Sequence, residues 1–169
     1  EGLLLKCGTD NLTEYKTPSY LCVRQDTLNF EARVSLYTDN LCMGARAGIC
    51  LFQNSAYHVR FEISECRVRV IFVRNNIEEV LASENLLDSP ATLVIRVNGN
   101  KLNLYTFNEK GMNPIVRDVD ISDLSTEVAG GFVGCTLGMF ATDGEDREEP
   151  VYARFTSFSY IRLEDNSNE

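Results

Sequence analysis

The chain predicts an all-β protein built as a two-sheet antiparallel β-sandwich, and three observations carry that prediction. Apolar residues recur at every second position through many short segments, the period of a half-buried strand. Glycine, asparagine, aspartate and serine separate those segments at short, regular intervals, as in sandwiches. Only DISDLSTEV, around Ile121 to Ser125, reads as a helical turn, capped by Asp120 or Ser122, and it is too short to stand as a helix alone. A length of 169 residues suits one domain, here Glu1 to Leu163, followed by a polar tail, Glu164 to Glu169, that is expected to fray.

In chain order, short strands are expected at Gly2 to Lys6 and Tyr20 to Arg24. Leu28, Phe30, Ala32, Val34 and Leu36 then share one face of a strand, opposite Asn29, Glu31, Arg33 and Ser35. A strand at Ala47 to Gln53 precedes a hairpin. Its first arm sets Tyr57, Val59, Phe61 and Ile63 against His58, Arg60, Glu62 and Ser64, and its second sets Cys66, Val68, Val70 and Phe72 against Arg67 and Arg69, with the turn at Ser64 to Glu65. Ile77 to Ser83 follows. Leu93, Ile95 and Val97 lead into Asn98-Gly99, and Leu102, Leu104 and Thr106 alternate on the way back. Both residues of an Asn-Gly pair accept the positive φ of a type I′ turn. Strands at Cys135 to Thr142 and Tyr152 to Leu163 complete the set. Gly48 and Gly138, inside strand patterns, read as close sheet packing or bulges.

Composition excludes several function classes. A formal charge of −9 opposes nucleic-acid binding, which depends on Lys and Arg neutralising phosphates. No apolar run is long enough to cross a bilayer. The cysteines Cys7, Cys22, Cys42, Cys50, Cys66 and Cys135 have no zinc-like spacing and several occupy apolar positions of alternating strands, so they read as free, buried thiols of a reducing, bacterial cytoplasm. Neither a metal nor a cofactor is expected. A chain opening on Glu1 rather than Met reads as a piece of a longer polypeptide. Asn11-Leu12-Thr13 matches a glycosylation acceptor, a pattern that arises often by chance.

Candidate residues divide into sharper and plainer readings. His58, the single histidine, has no Ser, Cys or Asp motif around it and is expected to face solvent as an ordinary strand residue. Gly144 to Glu149 reads as a solvated acidic loop. Arg60, Arg67 and Arg69 form a small basic stripe, either a docking face or a set of cross-strand partners for Glu62 and its neighbours. No constellation of paired carboxylates is present, so no catalytic residue is assigned.

One stretch stands apart: AGGFVGCTLGMFATDG, Ala129 to Gly144, then the strand VYARFTSFSYIRL from Val151. Gly130 and Gly131 before a lone Phe132 describe a tight turn that presents an aromatic ring ahead of a buried strand. The stretch resembles the closing motif of the concanavalin A-like jelly roll that follows the catalytic propeller in β-xylosidases and other family 43 glycoside hydrolases. PSYLCVRQDTLNFEARV, from Pro18, and AGICLFQNSAYHVRF, from Ala47, resemble further segments of that domain, in family order.

The resemblance implies an accessory C-terminal domain. Its partner would be the catalytic propeller of the same polypeptide, which would hold the hydrolytic carboxylates and act on a xyloside or arabinoside. It implies a place for Phe132, with Gly130 and Gly131, at the rim of the substrate pocket, where ordinary sheet-edge packing is the alternative. Arg154 and Thr156 stand where the family often has acidic residues, which disfavours calcium there. A free-standing carbohydrate-binding, lectin-like module is the alternative function, and a purely structural interaction domain the third. The lectin-like reading calls for aromatics along one sheet face, and the chain has no Trp.

Overall fold

A computed structural model describes residues 1–41, 44–86, 88–131 and 134–164. The described residues form twelve strands: β1 Leu3–Lys6, β2 Ser19–Arg24, β3 Asn29–Leu36, β4 Ala45–Asn54, β5 Tyr57–Ser64, β6 Arg67–Arg74, β7 Ile77–Asn85, β8 Ala91–Asn98, β9 Lys101–Asn108, β10 Gly111–Asp120, β11 Thr136–Asp143 and β12 Tyr152–Arg162. Two antiparallel six-stranded sheets result. Sheet I runs β1-β12-β3-β8-β9-β10 and sheet II runs β2-β11-β4-β5-β6-β7. The chain changes sheet between β1 and β2, β2 and β3, β3 and β4, β7 and β8, β10 and β11, and β11 and β12, which makes the predicted two-sheet sandwich.

Alternation selects the core. Phe30, Ala32, Val34 and Leu36 of β3, Leu93, Ile95 and Val97 of β8, Val59, Phe61 and Ile63 of β5 and Val68, Val70 and Phe72 of β6 are buried in one cluster between the sheets. Leu28, expected among them, lies before β3 and is exposed. Gly48 and Gly138 mark close packing: a Cβ on Gly48 would stand 2.0 Å from the Phe61 carbonyl oxygen, and one on Gly138 2.3 Å from that of Leu21.

Three expectations about strands and turns need correction. The β5–β6 hairpin turns at Glu65-Cys66, both at positive φ, between the paired residues Ser64 and Arg67. Asn98 pairs with Lys101, so the β8–β9 turn is Gly99-Asn100, with positive φ at Gly99 alone among its two residues, the type II′ pattern rather than type I′. Strand β10 was not anticipated. Pro114, the positive φ of Asp118 and two register shifts against β9 break its alternation, features that an edge strand with one neighbour accommodates. Asp120 does serve the helical turn, its carboxylate accepting the Ser122 N–H at 2.9 Å; a 3₁₀ turn at Ser122–Leu124 leads into α1, Thr126–Ala129.

The outer face of sheet II is also covered. The β1–β2 connection folds back over it, so that Leu12 is buried against Cys50 and Phe140, with Tyr20 and Phe52 packed alongside. His58 has no exposed surface, contrary to the solvent-facing expectation. Arg60 and Glu62, the next residues on that face, are buried with it. Arg60 therefore drops out of any exposed basic stripe. The thiol expectation is corrected in part: Cys7, Cys50 and Cys135 are free and buried, Cys22 and Cys66 free but exposed, and Cys42 lies outside the described residues. Of the tail expected to fray, Glu164 to Glu169, residues 165–169 also lie outside them.

Candidate functional site

At one end of the sandwich the β2–β3 connection, the β8–β9 turn and residues 121–126 and 134–135 border an open cleft of about 410 Å³. Its walls are mixed: Leu51, Ile121 and Leu124 supply apolar surface, and Gln25, Asp26, Gln53 and Asn100 supply polar groups. The Gly130–Gly131 turn leaves α1 beside Gln53, one of the residues lining this cleft.

The turn is set by backbone conformation. Gly130 has φ 78° and ψ 176°, and Gly131 has φ 99°, values that a residue with a Cβ adopts only under strain. Nothing lies within 4 Å of where a Cβ on Gly130 would sit, so conformation rather than crowding requires glycine there. The end of β4 fastens the turn. Gln53 Nε2 donates to the Gly130 carbonyl at 3.3 Å, Asn54 Nδ2 donates to the Ala129 carbonyl at 3.0 Å, and the Cys135 thiol donates to Gln53 Oε1 at 3.3 Å. One glutamine side chain thus grips both feet of the loop that contains Phe132. Phe132 and Val133 themselves lie outside the described residues.

The side chains around this clamp are not those of a nucleophile or an acid–base pair. Burial pushes the Cys135 thiol up to about 11, so it is a weak donor and not a thiolate at neutral pH. Asp26 is held below the ordinary carboxylate range by the Arg162 guanidinium and the Tyr160 hydroxyl, which donates at 2.9 Å. Tyr160 in turn packs on Phe30 with ring centroids 5.1 Å apart, tying the β2–β3 connection to the core. These groups position backbone; they do not transfer protons.

The other sequence candidates sit elsewhere. Arg67 is exposed and donates to Ser83 and Asn85 on β7, and Arg69 is half-buried. Arg147 of the acidic loop pairs with buried Asp143. The buried row on β5 is bonded internally and to Glu78 of β7, with Glu62 Oε1 left without a hydrogen-bond partner. Arg60 donates to Glu62 at 3.2 Å, to Glu78 at 2.9 Å and to His58 Nε2 at 3.0 Å, so His58 is the neutral tautomer whose Nδ1–H donates to the Asn54 carbonyl at 3.1 Å. Burial, then the Arg60 charge, pushes the His58 imidazole down to about 4. It is a structural acceptor for Arg60, not a base for chemistry. Sequence reasoning missed Gln53 and Asn54; the signal was a pair of side-chain amides at the mouth of the β4–β5 turn, where only the tertiary fold reveals what they hold.

Comparison with known proteins agrees with this fold. Residues 1–161 match the family model described as the beta xylosidase C-terminal concanavalin A-like domain. The chain is 27% identical over 171 residues to a xylosidase/arabinosidase from Butyrivibrio fibrisolvens, covering 96% of this chain and 32% of that protein. It is 26% identical over 156 residues to a non-reducing end alpha-L-arabinofuranosidase from Bacteroides ovatus, covering 89% and 29%. The chain therefore spans about a third of the length of these relatives. Among solved structures, the GH43 protein BlXynB from Bacillus licheniformis superposes with a TM-score of 0.85 at 22% identity, over 96% of this chain and 33% of that one.

Proposed function

Because the chain belongs to the beta xylosidase C-terminal concanavalin A-like domain family, we propose that it is the accessory sandwich of a longer xylosidase- or arabinofuranosidase-type glycoside hydrolase, docked on a catalytic domain through its Gly130–Gly131 end. The observation that carries this reading is the clamp: a loop of glycine-only backbone, held at both feet by Gln53, beside an open cleft. A fold holds such a loop in place when the loop has something to present. In this reading the presented group is Phe132. An aromatic face against a sugar ring supplies apolar contact and excludes water, which strengthens electrostatics at carboxylates supplied by the partner domain.

The test is Phe132→Ala in the polypeptide that joins this sandwich to its catalytic domain. kcat/KM on an aryl xyloside or arabinoside should fall by about tenfold or more with the unfolding transition unchanged, because substrate orientation is lost and no core contact is. Gln53→Ala, which removes the clamp while leaving Phe132 in place, should lower kcat/KM in the same direction. Unchanged kinetics in both variants would refute the reading.

A further inference from the structure

The Gln53–Asn54 corner also borders a groove of about 570 Å³, between the β1–β2 connection and the β4–β5 turn. We propose that this groove is a subsite for a neutral oligosaccharide, holding the part of a glycan that extends beyond the pocket of the catalytic domain. The inference rests on the proposed function for its continuity with that pocket. Its local evidence is independent.

The groove is built, not incidental. Its outer wall is a loop pinned by Leu12, which is buried on Cys50 and Phe140, and shaped by the Thr13 N–H donating to Asn11 Oδ1 at 2.9 Å, the Lys16 N–H donating to the Glu14 carbonyl at 2.9 Å and the Thr17 N–H donating to Asp10 at 3.3 Å. This ordered loop carries Tyr15 fully exposed at its tip, an aromatic ring that contributes nothing to the core. The floor is aromatic too: Tyr20 and Phe52, half-buried on the outer face of sheet II, lie with ring centroids 5.7 Å apart and planes tilted by 58°.

The lining selects an uncharged ligand. Glu14 and Lys16, the two charged residues that line the groove, pair with each other at 2.8 Å, with Asp10 behind them 3.8 Å from Lys16, so the lining itself carries offsetting charges although the protein is strongly acidic. The hydroxyls of Tyr15, Thr17 and Ser55 line it without a protein hydrogen-bond partner among the described residues. Aromatic faces plus unpartnered hydroxyls fit a pyranose or furanose, which offers C–H faces for stacking and hydroxyls at its rim. Position adds the last argument. Gln53 and Asn54, which line the groove, also hold Gly130 and Ala129, so a chain lying in the groove abuts the presenting loop.

The experiment titrates the 169-residue chain with β-1,4-xylohexaose, with xylose as control. Amide resonances of Thr17, Asn54 and Ser55 should shift with xylohexaose and not with xylose, and tyrosine emission, which no Trp obscures, should change in parallel. Tyr15→Ala should weaken binding by about threefold to tenfold, the scale of one aromatic contact, while Tyr15→Phe keeps it. Tyr15 is exposed, so neither variant threatens the fold. Absence of shifts up to the solubility limit of the glycan, or equal binding by Tyr15→Ala, overturns the proposal. In the longer polypeptide, Tyr15→Ala should lower kcat/KM on xylohexaose and leave an aryl xyloside untouched, whereas Phe132→Ala lowers both. Unchanged kinetics in both Phe132→Ala and Gln53→Ala would therefore reject the docking reading and leave the groove standing.

Discussion

Replacing Arg60 by Met isolates a buried electrostatic arrangement of the domain. Met fills most of the space of the arginine stem, so the cavity contribution is small and the change removes a charge with its hydrogen bonds. Arg60 is 5% exposed and Glu62 not at all, and Glu62 Oε1 already lacks a hydrogen-bond partner. Without the guanidinium, Glu62 is a buried carboxylate with no counter-charge from Arg60, and breaking a buried pair this way costs about 3–5 kcal/mol. Glu78 adds little, because its side chain is 46% exposed and water takes over as its partner. With a urea m-value of about 2 kcal/mol/M, the midpoint of unfolding should fall by about 1.5–2.5 M at neutral pH, followed by far-UV circular dichroism. Arg60→Met with Glu62→Leu should recover most of the loss, since an apolar pair pays no desolvation. A loss under about 1 kcal/mol in the single variant, or a double variant less stable than the single one, would refute the reasoning.

His58 provides a pH signature. Unfolded, its imidazole takes up a proton near 6.5, whereas the folded site keeps it neutral down to about 4, so stability present above the unfolded value is lost as pH falls through that window, by on the order of 3 kcal/mol; His58→Gln should flatten the urea-derived stability profile there. Gly48→Ala should lower the thermal midpoint sharply, because its methyl group would lie 2.0 Å from the backbone oxygen of Phe61 and backbone cannot swing aside; an unchanged midpoint would show that the strands shift freely. Phe61→Ala, at a site with no exposed surface, should cost about 3–5 kcal/mol in denaturant unfolding. Alkylation with iodoacetamide followed by peptide mass mapping should label Cys22 and Cys66 in the folded protein, and Cys7, Cys50 and Cys135 only after unfolding, since burial pushes Cys7 and Cys135 up to about 11 and Cys50 well above its usual value.

The two-sheet core was legible because period-two alternation is a direct record of one buried face, and Phe30 and Phe61 sit where that record puts them. What alternation does not record is the fate of the opposite face. His58, Arg60 and Glu62 look like a solvated row, yet all three are buried on that face of sheet II, where the Arg60 guanidinium bonds His58, Glu62 and Glu78 of β7. Strand β10 was invisible for the reverse reason: bulges and Pro114 scramble the alternation of an edge strand. The glycine turn was readable from Gly130 and Gly131, but not its clamp, because Gln53 is 77 residues away in sequence and meets Gly130 only in the fold.

The position of β12 has a temporal consequence. The last strand of the chain is inserted between the first, β1, and β3, so sheet I is split until residues beyond Tyr152 are available. During synthesis this domain cannot close until nearly its whole length has left the ribosome, and pairing that distant slows closure further.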